Sequence, residues 1–258
     1  VAVADTVAVS LSPVETEQLL KQVPSAYNTQ INAVLLTALV GVIQTWTGNA
    51  ATLIHLEGHG RENLFESLDV SRTDGWFTSL YPVLLTQTSI EYSGPAPGDR
   101  LMAVKEQLRQ IPQGGLGYGL LRYMTQAADI RAELGRLPVP ELSFNYLGQI
   151  EQGLDVSADW SLAPEPIGSL HSPEGRRPHL IDISAQVVGG CLQISWIYSR
   201  CHHRRETVDS LAHDYLRQLQ LLIEHCLSAE VGGYTPSDFP LVDLTQSDLD
   251  EVLQQIDI

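Results

Sequence analysis

Gly189-Gly190 separates two runs of alternating character, residues 180–188 and 191–198. Two glycines at the centre of a two-residue connection accept the positive φ of a primed turn, so the segment predicts an antiparallel hairpin. A lone hairpin is marginal in water and must find further strands or helices. Two more strands are expected, at residues 51–57 and 142–148, the second opened by Pro138 and Pro140. Residues 1–11 alternate loosely and read as a strand or an ordered tail. A loop over residues 71–82 leads into a further strand through residues 83–85.

Helices fill the intervals. Ser12, Pro13 and Glu15 give an N-cap, a proline at N1 and a capping box for a short helix that stops before Pro24. Thr29 is the expected cap of a stronger helix, whose Ile31, Val34, Leu35, Ala38, Leu39, Val42, Ile43 and Trp46 follow the helical spacing. Leu36 and Val40 make its other face apolar too, so it is expected to pack on more than one side, and Gly48 ends it. Asp99 is the expected cap of a helix carrying Leu101, Val104, Leu108 and Ile111, ended by Pro112. The glycine-rich residues 114–119 lack the GK[ST] of a phosphate loop and read as a flexible loop into a helix at 120–125. Residues 155–178 form the longest irregular stretch. A long helix then uses Val208, Leu211, Ala212, Tyr215, Leu219, Leu222, Ile223 and Cys226 as its core face. A linker at 235–240 and an acidic helix at 245–256 close the chain. Strands alternating with helices, plus one hairpin, imply an α/β sandwich with a mixed sheet. No GxGxxG follows a strand, so a dinucleotide fold is not supported.

With 258 residues, one large domain or two small ones can form. Fifteen Lys and Arg against 31 Asp and Glu leave a formal charge of −16, which argues against phosphate-backbone binding and so against a nucleic-acid partner. No apolar run approaches the roughly 18 residues of a membrane span. The N-terminus has no basic leader and no Met and reads as a cut piece of something longer. Cys191, Cys201 and Cys226 are odd in number and widely spaced, which suggests a reducing, cytoplasmic setting. No CxxC or HExxH is present, so no metal is expected.

The chemistry-bearing residues gather at residues 53–62. An apolar run there ends in Glu57, followed by Gly58, His59, Gly60, Arg61 and Glu62. A carboxylate at the mouth of a buried strand costs free energy unless it is paired, hydrogen-bonded or used. Two readings stand: a salt-bridged strand end, or a proton acceptor. Gly168-Ser169 lacks the second glycine of a nucleophile elbow. His202-His203 is followed by two arginines, and Thr207 stands four after His203, so the pair reads as the polar start of the long helix. Asn145 and Tyr146 supply hydrogen-bond donors for a developing oxyanion. Trp76, Phe77 and Tyr81 are aromatics that could wall out water, or plain core.

Three strings carry a family resemblance: HLEGHGRE at 55–62, DVSRTDGWFTSLYP at 69–82 and LSFNYLGQ at 142–149. In order and spacing they resemble the epimerization domains of nonribosomal peptide synthetases, and YTPSDFPL at 234–241 is similar to the exit segment of such domains. The resemblance implies a chloramphenicol-acetyltransferase-like α/β sandwich, one lobe of a two-lobe domain. Residues 1–233 would be the C-terminal lobe and residues 234–258 an exit linker with a short helix toward a next module. The N-terminal lobe, with its HHxxxDG motif, has no counterpart here. The family implies epimerization at the α-carbon of an aminoacyl or peptidyl thioester, L to D, with this chain inactive alone. Glu57 would be the acid/base, facing a histidine of the other lobe. Tyr146 would line the site as a second catalytic residue, and His59, Trp76, Thr78, Ser79 and Asn145 would bind substrate. No cofactor is expected in the domain; the phosphopantetheine arm comes with an upstream peptidyl carrier protein, and a downstream condensation domain is the other implied partner. The alternatives are a peptide-bond-forming condensation domain and a non-catalytic lobe that docks carriers.

Overall fold

The predicted hairpin is present as β5 (Ile181–Val188) and β6 (Cys191–Ser199), with Gly189 at φ +58° and Gly190 at φ +75°. The structure is a computed structural model that describes residues 3–62, 69–70, 72–87, 96–149, 172, 174–228 and 231–256. The remaining strands are β1 (Ala4–Ser10), β2 (Thr52–Gly58), β3 (Ser79–Leu85) and β4 (Leu142–Gln149). The helices are α1 (Pro13–Lys21), α2 (Val23–Ala26), α3 (Ile31–Thr47), α4 (Pro97–Arg109), α5 (Leu116–Gly119), α6 (Ala128–Gly135), α7 (Arg205–Leu227) and α8 (Gln246–Ile256). The six strands form a single mixed sheet in the order β1-β6-β5-β4-β2-β3, as the fold class required. The chain divides into two compact units.

The first unit takes residues 1–10, 53–84 and 111–212 and holds most of the sheet. β6 runs antiparallel to β1 and β5, whereas β4 runs parallel to β5 and β2. The register sorts the side chains into two faces. Ile181, Ile183, Ala185 and Val187 sit opposite Tyr198, Trp196, Ile194 and Leu192, with Val7 and Val9 beyond them, and all are buried. Trp196 is fully buried, so truncation to Ala would cost ~3–5 kcal/mol. The opposite parity is polar: Asp182 and Ser184 on β5, Ser143 and Asn145 on β4, His55 and Glu57 on β2. Strand alternation alone produces this division.

The second unit takes residues 11–52, 85–110 and 213–258 and is mostly helical. The capping box of α1 forms as predicted: Ser12 Oγ accepts from the Glu15 N–H, and Glu15 accepts from the Ser12 N–H. Residues 33–40 of α3 are all buried, so both of its faces are covered. Gly48 closes α3 in the left-handed conformation, but Gln30 rather than Thr29 occupies its N-cap. Similarly, α4 starts at Pro97 with Ala96 as cap and Asp99 inside the first turn, because proline fixes the φ of the first helical position. Tyr27 Oη and His225 Nε2 lie 2.8 Å apart in this unit. Burial pushes the Tyr27 hydroxyl up to about 12 and lowers the proton affinity of His225, so the phenol is the donor and the ring the acceptor.

One expectation needs correction. The glycine-rich residues are not a loop: Pro112–Gly115 makes a 3₁₀ turn and α5 follows, leading into the expected helix, which is a π-helical turn over Leu120–Met124. Helix α6 went unpredicted because it buries no side chain and so shows no apolar period. Most of the stretch 155–178, and Gly168-Ser169 with it, lies outside the described residues. Among the described residues, no single helix is long and apolar enough to cross a membrane.

Candidate functional site

Strand β2 delivers Glu57 to the polar face of the sheet, one position before its end. The parallel register continues from Leu56–Phe144, so the next pair brings Asn145 beside Glu57. Asn145 Nδ2 donates to Glu57 Oε2 at 2.7 Å. Among the described residues Oε1 takes no hydrogen bond. Glu57 is exposed, yet the protein around its carboxylate raises its proton affinity, first by desolvation and then through the negative charge of Asp182. An exposed carboxylate that holds its proton more tightly than usual, with one oxygen fixed and the other available, can accept a proton and release it again.

The loop after Glu57 is folded onto other loops of the same unit. Gly60 has φ +66°, and a methyl there would lie 1.6 Å from the carbonyl oxygen of Phe77, so only glycine allows the two backbones to meet. Arg61 Nη2 donates to the carbonyls of Thr73 and Gly75 at 3.2 and 3.3 Å, and its guanidinium lies 5.0 Å from the centre of the Phe77 ring. His59 serves the turn: its Nδ1 accepts from the Arg61 N–H at 2.9 Å, and its Nε2 is 3.5 Å from Glu62. Tyr81 packs its ring against Gly115. The strings at 55–62, 72–82 and 112–119 are thus brought together physically.

The predicted site residues divide. Glu57 and Asn145 touch. Ser79 lies against Gly58, directly beyond Glu57. Thr78 is exposed, and Trp76 is 91% exposed, so among the described residues it walls off nothing. Tyr146 has the parity of Leu142 and Phe144, whose side chains are buried, so strand alternation turns it to the face opposite Asn145; the ladder to β5 becomes irregular just after it. Burial raises the proton affinity of its phenol.

Residue pattern alone missed a second polar cluster on the same face. His55 Nδ1 is 2.8 Å from His179 Nε2, and His179 Nδ1 is 2.8 Å from Asp182 Oδ1. Ser143 Oγ donates to the same oxygen at 2.6 Å, and Arg177 donates to Asp182 Oδ2 and to the carbonyl of Ile197. Burial works to raise the proton affinity of Asp182, but His179, Ser143 and Arg177 outweigh it and hold the carboxyl below its usual range. Strand alternation puts Asp182 on the polar face, but the strand order that sets it beside Ser143 and His55 is not readable from the sequence. Among the described residues, no group of three or more His, Cys, Asp or Glu side chains is arranged to hold a metal ion.

A family model described as "Condensation domain" matches residues 2–239. The chain is 47% identical over 249 residues to one of the proteins that make up the linear gramicidin synthase of Brevibacillus parabrevis, covering 96% of this chain and 3% of that protein. It is 45% identical over 255 residues to the chondramide synthase of Chondromyces crocatus, covering 99% of this chain and 6% of that one. Among solved structures it resembles the epimerization domain from the third module of tyrocidine synthetase B, with a TM-score of 0.78, 39% identity, 88% of this chain and 49% of that chain. The condensation domain of the monacolin K polyketide synthase shares the fold at a TM-score of 0.59 and 14% identity, over 88% of this chain and 48% of that one. The chain therefore spans about half the length of the solved domains it matches, and a few per cent of the synthases.

Proposed function

The chain belongs to the condensation-domain family, and from that premise we propose that it supplies half of an epimerization site in nonribosomal peptide synthesis. The substrate is an aminoacyl or peptidyl thioester on the phosphopantetheine arm of a carrier protein. Glu57 Oε1 takes the α-proton, the electron pair of the broken C–H bond moves toward the thioester oxygen, and a proton returns to the opposite face of the α-carbon. Two acid/base groups on opposite faces are what inversion needs. The second belongs to an N-terminal lobe outside this chain, so these residues alone are inactive.

One observation carries the reading. Glu57 is fixed through Oε2 by Asn145, has Oε1 available among the described residues, and sits where burial and Asp182 raise its proton affinity. The likeness to a tyrocidine epimerization domain supports epimerization over peptide-bond formation. Asn145, Ser79 and the exposed Trp76 and Thr78 remain the proposed substrate contacts, whereas His59 acts by holding the Glu57 loop in shape. Tyr146, turned to the other face, is left a supporting role.

The test is α-proton exchange in deuterated buffer, measured on the intact synthetase with a loaded carrier. Glu57→Gln is expected to lower exchange by about 10²–10⁴-fold with folding unchanged. Wild-type exchange in that variant would remove Glu57 from the mechanism. Dipeptide formation with a second, downstream carrier would instead favour a condensing enzyme. Carrier binding with no exchange in the wild type would leave only a docking role.

A further inference from the structure

The proposed role of Glu57 raises a problem of return. Once it holds the α-proton, it must lose that proton before the next turnover, and in the proposed complex the substrate lies over the exposed side that otherwise hands it to water. The cluster next to it on the sheet face is built to accept one. Asp182 is held ionised by Ser143, Arg177 and His179, so it only accepts, and the hydrogen on its bond to His179 sits on Nδ1 of that ring. In the neutral ring Nε2 of His179 is then a lone pair, and its 2.8 Å contact is filled by a hydrogen on Nδ1 of His55. This leaves Nε2 of His55 unprotonated. His55 has the same parity on β2 as Glu57, two residues away.

We propose that His55, His179 and Asp182 form a proton relay that restores Glu57 to its carboxylate form between turnovers, with His179 and Asp182 as positioning residues. A proton reaching His55 Nε2 releases the one on Nδ1 to His179 Nε2, and the positive charge comes to rest beside the Asp182 carboxylate. Proton count and charge balance at each step, and the relay resets by the reverse steps: His179 Nε2 returns its hydrogen to His55 Nδ1, and His55 Nε2 gives its own to solvent. Burial, His179 and the guanidinium of Arg122 all lower the proton affinity of His55, so the charge does not stop on the outer ring. His55, Ser143 and Asp182 come from three strands and His179 from the segment before β5, and their convergence is independent of the contact between Glu57 and Asn145.

This inference rests on the epimerization reading, so its test has a readout outside catalysis. Nitrogen-15 NMR of labelled histidine on this chain is expected to show His55 carrying its hydrogen on Nδ1, and His179→Gln or the nearly isosteric Asp182→Asn to abolish that preference. Asp182→Asn also removes the counter-charge of Arg177, so far-UV circular dichroism and urea titration of both variants separate a lost tautomer from a lost fold. In the intact synthetase His179→Gln should lower multiple-turnover exchange by about 10²-fold more than it lowers the first α-proton abstraction, whereas Asp182→Asn should slow both, because the Asp182 charge also acts on Glu57. A wild-type His55 protonated on Nε2 would overturn the relay, as would variants that lose the tautomer but keep multiple-turnover exchange. If Glu57→Gln keeps its exchange, the reading of the reaction fails while the tautomer measurement still reports on the chain of histidines.

Discussion

Asp238 and Glu57 are both carboxylates in polar clusters, one in each unit, and they differ in what their neighbours leave unspent. Asp238 accepts at Oδ1 from Asn28 and Arg109, at 2.7 and 2.6 Å, and at Oδ2 from Lys105 at 2.6 Å and the Thr235 N–H at 2.8 Å. Lys105 spends another hydrogen on the carbonyl of Tyr27. The side chains of Lys105 and Asp238 are 1% and 2% exposed. Every valence is used and water is excluded, so this cluster fastens residues 235–238 to α4 and can do little else. Glu57 has one oxygen bound and, among the described residues, one available, and it is exposed to solvent. A saturated cluster is structure; an unsaturated one with a shifted proton affinity is chemistry.

The widest gap between the two should appear in what a neutral isostere does. Glu57→Gln is expected to remove about 10²–10⁴-fold of exchange while moving unfolding free energy by no more than about 0.5 kcal/mol. Asp238→Asn should do the reverse: a loss of about 3–5 kcal/mol in urea titration, because Lys105 is left buried without its counter-charge. The pair Lys105→Met with Asp238→Leu, which removes both charges, is expected to recover much of that loss; a double variant as unstable as Asp238→Asn would mean the cluster is worth more than its desolvation. Third, Asn145→Ala frees Glu57 Oε2 and should slow exchange by about tenfold, the weight of one hydrogen bond to a charged group. Tyr146→Phe should fall below that, and an effect equal to Glu57→Gln would bring its phenol back to the reacting face.

The smallest effect is a difference of sign in pH dependence. The carboxyl of Asp238 is held below its usual range: burial opposes this, and Lys105, Thr235 and Arg109 outweigh it. Its stabilisation is complete above the ordinary carboxylate value and drains away as pH falls through the lower folded value. Glu57 is shifted the other way, so it favours the folded state below the ordinary value and loses that contribution as pH rises through the higher folded one. Urea titrations between acid and neutral pH should therefore show Asp238→Asn flattening the acid limb. Glu57→Gln should be neutral to slightly stabilising at pH 7, by no more than about 0.5 kcal/mol given its exposure to solvent.

The two clusters also differ in how far the sequence disclosed them. Glu57 announced itself, since a carboxylate ending an apolar run is a local anomaly, and Asn145 lay in a recognisable string. Local signals also yielded the Gly189-Gly190 turn, the Ser12 capping box and the core face of α7. Lys105 gave no sign: in the sequence it is one charge on an amphipathic helix, and its burial depends on Asp238, 133 positions later. His179 and Asp182 were silent for the same reason. Alternation states which face a residue takes, but the neighbouring strand is decided by non-local packing. Tyr146 teaches the finer point, because adjacency to Asn145 in a strand means opposite faces.

The contact between His55 and His179 joins residues 124 positions apart, across strands that pair in parallel. On a ribosome adding about 5–20 residues per second, the first ring waits roughly 6–25 s for the second to be made. Parallel, non-local pairings also form late once the chain is complete. The nitrogen signal of His55 is thus a clock as well as a site marker: it should read as an ordinary solvent-facing imidazole on every nascent chain that stops short of β5, and change only when the sheet closes around Asp182.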